Sequence, residues 1–343
     1  MTSATGDAVR ITDPMLATVR DTPGQWERAV EIARAARLPA TTPRAVVVAG
    51  MGGSGIAGDV AGLVADAQAA VPTVAVHGER LPAFVGPDDL VVLVSHSGGT
   101  QETLACAGQA IERGARLVAV TSGGALGRLV ADHGGTVVEV PAEAPPRASM
   151  ALLSVPVLAA LEAAGVIDGA LDSCATVPAL LRGLDERFSD ATAADAPSRM
   201  AADLEQRIPV FLGVCRVGAV VATRARNQVA ENAERPAVAA ELPEADHNQL
   251  VGWAGSGTGG SCDLVVVRSP DETPGTRRRV EATVDLAGPG FARVHQHRLP
   301  AGDLIQRLAA GFYFVDLLSV HLALMADVDP TPIAAIDELK RRL

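Results

Sequence analysis

The sequence contains few cysteine, aromatic and lysine residues. The scarcity of cysteine and of lysine narrows the chemistry that the protein can carry out. Its four cysteines, Cys106, Cys174, Cys215 and Cys262, are scattered and form no CxxC pair. Their spacing therefore indicates no zinc site, and we expect buried thiols in a reducing compartment. Lysine occurs once, at Lys340, while every other basic residue is arginine. This bias suggests a genome-wide preference for arginine, so the one retained ammonium is a candidate for a specific role.

Basic patches and long apolar runs are also scarce. The formal net charge of -11 and the pI of about 5.1 argue against a nucleic-acid partner, because clustered Lys and Arg hold a phosphate backbone. A small anion in a local pocket remains compatible with this charge. No run reaches the roughly 18 apolar residues of a membrane span, and the first residues lack the features of a signal peptide. The sequence therefore predicts a cytoplasmic protein with no membrane partner.

The chain is long enough for two domains, at 343 residues of which 48% are hydrophobic. Val-rich runs that alternate with helical patterns predict an α/β fold with parallel-rich, doubly wound sheets. The pattern restarts after a helical stretch, which predicts an N-terminal domain at 1–160, a helical connector at 161–206 and a C-terminal domain at 207–343 with a helical tail. The predicted strands are Ala45–Ala49, Thr73–Val76, Leu90–Ser95, Leu117–Val120, Thr136–Val140, a strand that begins at Ile208 and leads through a glycine into a long helix, Leu264–Val267, Arg279–Val284 and Ala292–His297.

The stretch Val46–Asp59, VVVAGMGGSGIAGD, predicts a strand, a tight glycine loop and a helix. Glycines allow the backbone to approach a ligand closely, and the helix N-terminus favours an anion, most often phosphate. Gly50, Gly52 and Gly55 also satisfy GxGxxG, with Glu79 placed 24 residues after Gly55. A nicotinamide dehydrogenase is therefore an alternative interpretation, although this motif alone is weakly specific.

A second loop of the same kind follows the third predicted strand. It reads Ser95-His96-Ser97-Gly98-Gly99-Thr100 and stands where open α/β sheets bind ligands. Ser97 or Thr100 can instead cap the next helix. Capping does not explain three hydroxyls beside a second glycine loop, whereas hydroxyls and backbone N–H groups suit a phosphate monoester when basic residues are scarce. The two loops together predict a phosphorylated ligand.

These loops resemble those of the sugar isomerase (SIS) domain, which read Gly-Ser and Ser-x-Ser-Gly-x-Thr around a sugar phosphate. The segment 230–253, AENAERPAVAAELPEADHNQLVGW, is similar to the corresponding part of the bifunctional phosphoglucose/phosphomannose isomerases. The resemblance covers essentially the full length and implies two SIS-type αβα sandwich domains. It also implies phosphate contacts from Gly53, Ser54, Ser95, Ser97 and Thr100.

The same resemblance implies aldose-ketose isomerisation through an enediol, with no metal and no cofactor. Glu231 would be the base that moves the proton between C1 and C2, and His247 would assist ring opening. Arg147 would polarise the enediolate, and Lys340 would lie near the ring oxygen. In the family the histidine reaches the site from the neighbouring subunit, which implies a homodimer. The general chemistry agrees, since it needs a desolvated carboxylate and a cation near the developing oxyanion.

Each of these residues also has an ordinary interpretation. Glu231 lies on a predicted helix with Arg224, Asn227 and Gln228 and can be a surface carboxylate, Arg147 can be a solvated turn residue, His247 can be a cap, and Lys340 can end a helix. Where the family reads Asn-Glu-Asn followed by Ala-Lys, this chain has Ala230 before the glutamate and Glu234 in place of the lysine. A non-catalytic sugar-phosphate-binding protein is therefore the second hypothesis. A metal site at His295 and His297, on one face of a predicted strand, lacks a third ligand.

Overall fold

The computed structural model describes residues 13–190, 192–193, 195–255, 257 and 260–342. The expectation about a signal peptide falls on the first twelve residues, which lie outside that range. The chain divides into two compact units. The first comprises Asp21–Leu181 and Asp303–Gln306, and the second comprises the chain through Arg20, Arg182–Gly302 and the chain from Arg307.

The first unit is built on a five-stranded sheet with the strand order β2-β1-β3-β4-β5. All neighbouring strands are parallel, as predicted. Its strands are β1 (Val46–Gly50), β2 (Thr73–Val76), β3 (Leu90–Val94), β4 (Arg116–Thr121) and β5 (Thr136–Glu139). Its helices are α2 (Thr22–Ala35), α3 (Gly52–Gln68), α4 (Gln101–Glu112), α5 (Gly124–Asp132), α6 (Met150–Ala163) and the part of α7 (Ala170–Phe188) up to Leu181.

Burial explains why the strands of this sheet are rich in valine. Every residue of β1 and β3 is buried, because helices cover both faces of a doubly wound sheet and leave no polar face. Val48 pairs with Ala75 on one side and with Val92 on the other. The chain order therefore reverses between β1 and β3, and this switch point is where open sheets of this type bind ligands.

The second unit has a four-stranded parallel sheet in the order β7-β6-β8-β9. Its strands are β6 (Ile208–Val214), β7 (Val238–Leu242), β8 (Cys262–Arg268) and β9 (Val294–Arg298). Its helices are α1 (Pro14–Arg20), α8 (Pro197–Leu204), α9 (Cys215–Ala233), α10 (Gln249–Ala254), α11 (Pro274–Ala287), α13 (Ala334–Arg342) and the part of α12 (Leu304–Met325) from Arg307.

The strand predicted at Arg279–Val284 is wrong, since these residues lie inside helix α11. Thr273 caps this helix by accepting a hydrogen bond from the Thr276 N–H at 3.1 Å, and proline follows at the first helical position. Val280 and Val284 read as alternating strand residues, but four-residue spacing also places them on one face of a helix. The prediction also missed strand β7, which lies beside β6.

The polar face of helix α9 is buried, contrary to the interpretation of its polar residues as a surface. The Arg224 guanidinium is 3% exposed and the Asp316 carboxylate of α12 is 6% exposed. Arg224 Nε donates to Asp316 Oδ1 at 2.8 Å, and Nη2 donates to Oδ2 at 2.6 Å. Gln228 also donates to Asp316, at 2.7 Å, and Asn232 donates to Ser319 at 2.9 Å. These residues form a polar seam (Arg224, Gln228, Asn232, Asp316 and Ser319) between the two helices.

Helix α12 is the one helix in the described ranges that is long and apolar enough to cross a membrane. It has 22 residues and a window of mean hydropathy 1.7, although Arg307 and Asp316 interrupt its apolar sequence. However, 83% of that window is buried inside the protein, and it carries the charged Asp316 of the polar seam. Such burial is typical of the core helix of a folded domain.

The four cysteines are all free thiols, but only Cys106 and Cys174 are buried, whereas Cys215 and Cys262 are half-buried. Burial raises the pKa of Cys106 to about 11 and that of Cys174 to about 12. These two thiols therefore stay protonated and unreactive near neutral pH.

His295 and His297 have different surroundings on strand β9. His295 Nε2 lies 3.0 Å from the Asp263 carboxylate. The His297 ring stacks on Phe314, with centroids 3.6 Å apart, and its Nε2 has no hydrogen-bond partner among the described residues. Burial lowers the pKa of His297 to about 3, so the ring is neutral in the folded protein at physiological pH.

His297 is expected to make the protein lose stability in acid. The unfolded chain takes up a proton near pH 6.5, whereas the folded chain does so only near its pKa of about 3. The unfolded state thus binds more protons in this range, and stability falls as the pH falls. Between pH 7 and pH 5 this site accounts for roughly 2 kcal/mol. Urea unfolding of the native protein and of His297→Phe at both pH values measures the difference.

The exposed His247 provides the control, because His247→Gln should leave the pH dependence as it is in the native protein. A His297→Phe variant that lost the same free energy of unfolding between the two pH values as the native protein would contradict the assignment.

Candidate functional site

The two predicted loops of the first unit lie together at the switch point between β1 and β3. The Ser54 hydroxyl, in the first turn of α3, accepts a hydrogen bond from the His96 N–H at 3.2 Å. This contact joins the glycine loop to the hydroxyl loop across 42 residues of sequence. Gly53, Ser54, Ser95, Ser97 and Thr100 therefore form one group, which we call the candidate cradle.

The hydroxyls of the candidate cradle are not used as helix caps. Thr100 is the N-cap residue of α4, yet its side chain makes no capping hydrogen bond among the described residues. Instead its Oγ1 lies 2.8 Å from Ser95 Oγ. Ser97 Oγ is exposed and accepts from the Gly99 N–H at 3.3 Å. Since capping does not account for Thr100, the geometry favours the interpretation of the loop as an anion site.

Arg147 lies in the segment that follows β5, the edge strand of the first sheet, and its turn packs against the candidate cradle. It lies in a single helical turn, Pro146–Ala148, and is 3% exposed, so it is not the solvated turn residue of the alternative interpretation. A Cβ atom placed on Gly53 would lie 2.8 Å from the Pro146 carbonyl oxygen and 3.0 Å from the Arg147 nitrogen. Glycine is therefore needed at position 53 for this turn to pack against the loop.

Two histidines that the sequence did not single out lie beside the candidate cradle. His96 is buried between the two serines, and burial lowers the pKa of its imidazole. Its Nε2 has no hydrogen-bond partner among the described residues. His77 follows β2 and lies 2.9 Å from the Asp59 carboxylate. Both residues follow the carboxyl ends of parallel strands, and this position could have identified them as candidate site residues from the sequence.

Glu231 lies in the last turn of α9 and is half-buried, with the buried Gln228 and Asn232 on either side of it in sequence. It is thus partly withdrawn from water and is not a freely solvated surface carboxylate. Arg235, four residues later, donates to the carbonyl oxygens of Leu204 and Arg207 at 3.2 and 2.6 Å. Because Ile208 begins β6, Glu231 lies near the amino edge of the second sheet.

His247 lies at the opposite, carboxyl edge of that sheet. It ends the short turn Glu244–His247 that follows β7, and its side chain is exposed. The turn is fixed to α11, since Asp246 accepts from Arg279 at 3.0 Å and from Thr283 at 2.8 Å. The length of β7 separates this turn from Glu231 by roughly 15 Å. The structure therefore does not bring Glu231 and His247 of one chain together.

Lys340 lies on helix α13 and is exposed. Each residue of this helix is exposed or half-buried, including Ile336 at 39% and Leu339 at 56%. Among the described residues, no group of three or more His, Cys, Asp or Glu side chains has the geometry of a metal site.

Comparison with known proteins shows to which family the chain belongs. Residues 41–161 match the SIS domain family, and residues 194–343 match the bacterial phospho-glucose isomerase C-terminal SIS domain. A bifunctional phosphoglucose/phosphomannose isomerase of Thermoplasma acidophilum is 30% identical over 300 residues, which cover 87% of this chain and 89% of the relative. The chain belongs to this family.

A second bifunctional phosphoglucose/phosphomannose isomerase, from Caldicellulosiruptor bescii, is 28% identical over 96% of this chain and 98% of the relative. The prediction of an isomerase enzyme is confirmed by this membership. A hypothetical protein of known structure from Thermus thermophilus is similar in fold, with a TM-score of 0.72, 19% identity, and coverage of 98% of this chain and 91% of that chain. The predicted fold class, two SIS-type α/β domains, is likewise confirmed.

Proposed function

We propose that this isomerase interconverts glucose 6-phosphate or mannose 6-phosphate with fructose 6-phosphate, without a metal and through a cis-enediol. The observation that carries the proposal is the convergence of the two loops and the Arg147 turn at one switch point. Hydroxyls and backbone N–H groups at the start of α3 suit a phosphate monoester. The names of the curated relatives supply the two aldoses.

The chemical step needs a base that serves two neighbouring carbon atoms. In our proposal Glu231 removes the proton from C2 of the open-chain aldose, and the C–H electrons form the enediol double bond while the C1 carbonyl oxygen gains negative charge. Arg147 stabilises this oxyanion. The C2 hydroxyl then gives its proton to the C1 oxygen and becomes the carbonyl, while Glu231 returns the first proton to C1, so that atoms and electrons balance. His247 and Lys340 assist opening of the sugar ring.

We further propose that the active enzyme is a homodimer in which His247 comes from the partner chain. The positions of Glu231 and His247 at opposite edges of one sheet support this, because a single sugar ring is too small to contact both.

The four free thiols fit a reducing environment, and we assign the enzyme to the cytoplasm.

Isomerase activity in the absence of metal is the test of this function. Protein treated with EDTA and incubated with fructose 6-phosphate is expected to form glucose 6-phosphate, mannose 6-phosphate or both, observed by carbon NMR. Return of Mg²⁺ or Zn²⁺ should not raise the rate. Binding of fructose 6-phosphate without any aldose product would overturn the catalytic assignment and leave the sugar-phosphate-binding protein.

A further inference from the structure

A third loop packs against the hydroxyl loop of the candidate cradle. It follows β4, reads TSGG at 121–124 and leads into α5. The Leu126 N–H, in the first turn of α5, donates to the Gly98 carbonyl oxygen at 2.9 Å. A Cβ atom placed on Gly98 would overlap the Gly123 carbonyl oxygen. The two loops are therefore in direct backbone contact, and the third loop helps to hold the hydroxyl loop in place.

Ser122 of this third loop is bonded twice to the backbone of His96. Its N–H donates to the His96 carbonyl oxygen at 2.9 Å, and its hydroxyl donates to the same oxygen at 2.6 Å. A peptide carbonyl oxygen has two lone pairs, so these two bonds can use both of them. A single bond would let the peptide plane between His96 and Ser97 turn about it, whereas two bonds from one residue restrict that rotation. Ser122 thus fixes the His96–Ser97 peptide.

The fixed carbonyl determines the direction of the Ser97 N–H. This peptide is trans, so its C=O and its N–H point in opposite directions. The His96 carbonyl is directed to the loop after β4, and the Ser97 N–H is therefore directed to the other side of β3, where β1 lies. The His96 N–H meets the Ser54 hydroxyl after β1. Among the described residues, no hydrogen bond occupies the Ser97 N–H. Successive N–H groups that face one side form an anion-binding concavity.

We propose that Ser122 is a positioning residue for substrate binding, which holds the Ser97 N–H toward the glycine loop so that this N–H donates to the substrate's phosphate. This inference rests on the proposed function, because it assumes that the candidate cradle holds that phosphate. Ser122 itself does not touch the substrate and acts through the His96 carbonyl. The candidate cradle consists of hydroxyls and backbone, so the direction of each N–H group contributes to its attraction for an anion.

Ser122→Ala tests this role, because it removes the hydroxyl bond and keeps the N–H bond. Calorimetry with inorganic phosphate and with fructose 6-phosphate should show binding about 3- to 10-fold weaker than in the native protein, the effect of one hydrogen bond. Since the ground state and the transition state share the phosphate contact, KM should rise by a similar factor while kcat stays within about twofold of native. Ser122→Thr, which retains the hydroxyl, should restore the native affinity and KM. A merely structural role would lower Tm and leave the affinity of the folded protein unchanged.

Thr176→Ala is the matched control. The exposed Thr176 hydroxyl, on α7 of the same unit, also donates to a backbone carbonyl, that of Ser173 at 2.7 Å, and its loss should leave affinity and KM native. Native affinity in Ser122→Ala, or an equal loss in Ser122→Ala and Ser122→Thr, would overturn the inference while leaving the isomerase intact. Absence of phosphate binding by the native protein would overturn both. An affinity that depends on the Ser122 hydroxyl, without isomerase turnover, would support the inference and reject the catalytic proposal.

Discussion

Replacement of Glu231 by glutamine is expected to lower kcat for fructose 6-phosphate isomerisation by about 10²-fold or more. The substitution keeps the size and hydrogen-bonding shape of the side chain but removes the group that accepts the proton from carbon. Because Glu231 is half-buried, its carboxylate is partly desolvated, as the base in such a step must be. Steady-state kinetics, with calorimetric binding of fructose 6-phosphate to show that affinity is retained, measures the effect.

Glu234→Gln is the matched control for this experiment. Glu234 follows the same helix three residues later, is exposed, and adopts a left-handed backbone conformation with φ of 52°. Its substitution removes the same charge from the same neighbourhood and should leave kcat close to native. A Glu231→Gln enzyme with kcat within about threefold of the native value would contradict the assignment of the base.

Glu231→Gln also tests the shared site. If Glu231 of one chain works with His247 of its partner, two inactive variants can restore each other. A mixture of Glu231→Gln and His247→Ala, refolded together, should recover about a quarter of native activity, because hetero-dimers then contain one complete site. Failure to recover activity in a mixture shown to form hetero-dimers would indicate that both residues act within one chain.

The parallel sheets were predictable because their strands are buried on both faces. Valine-rich runs such as Leu90–Val94 leave little alternative to a covered strand, and hydroxyls that follow such a run can be assigned to the ligand-binding edge of the sheet. The segment Arg279–Val284 was wrongly predicted as a strand because the spacing of Val280 and Val284 fits the period of a strand as well as that of a helix. The decisive signal was the Thr273-Pro274 start of the helix, which lies outside the predicted segment.

Long-range partners were not predictable from the sequence. The packing of the Arg147 turn against Gly53 joins segments that are distant in the sequence, and no local sequence pattern predicts it. The polar residues of α9 were interpreted as a solvent-facing surface. Their burial could not be predicted locally, because Asp316, the partner of Arg224, lies 92 residues away in the sequence. His77 was not singled out for a related reason, since a single histidine after an edge strand matches no motif until the structure places Asp59 beside it.

Asp316→Leu is expected to destabilise the protein by about 3–5 kcal/mol, a fall in Tm on the order of 10 °C. The substitution leaves the Arg224 guanidinium, which is 3% exposed, without its bidentate carboxylate partner. Gln228 loses its acceptor at the same time. Burial raises the pKa of Asp316 and Arg224 opposes that shift, so each charge depends on the other. Differential scanning calorimetry measures the loss.

The double variant Arg224→Met/Asp316→Leu should be more stable than either single variant, because it removes both buried charges and fills their volume with apolar atoms. Asp203→Ala, which breaks an exposed pair with Arg293, is the control and should cost less than about 1 kcal/mol. Additive effects of Arg224→Met and Asp316→Leu would show that the two charges do not stabilise each other.

The double variant also separates stability from catalysis. Gln228 and Asn232 lie on either side of Glu231 in sequence, and both are bonded to α12. These bonds hold α9 against α12 on both sides of Glu231 in sequence, and we expect them to help orient its carboxylate. Removing Asp316 releases Gln228 but leaves Asn232 bonded to Ser319. We therefore expect the double variant to regain most of its stability yet retain a reduced kcat, and full recovery of kcat would show that the polar seam serves stability alone.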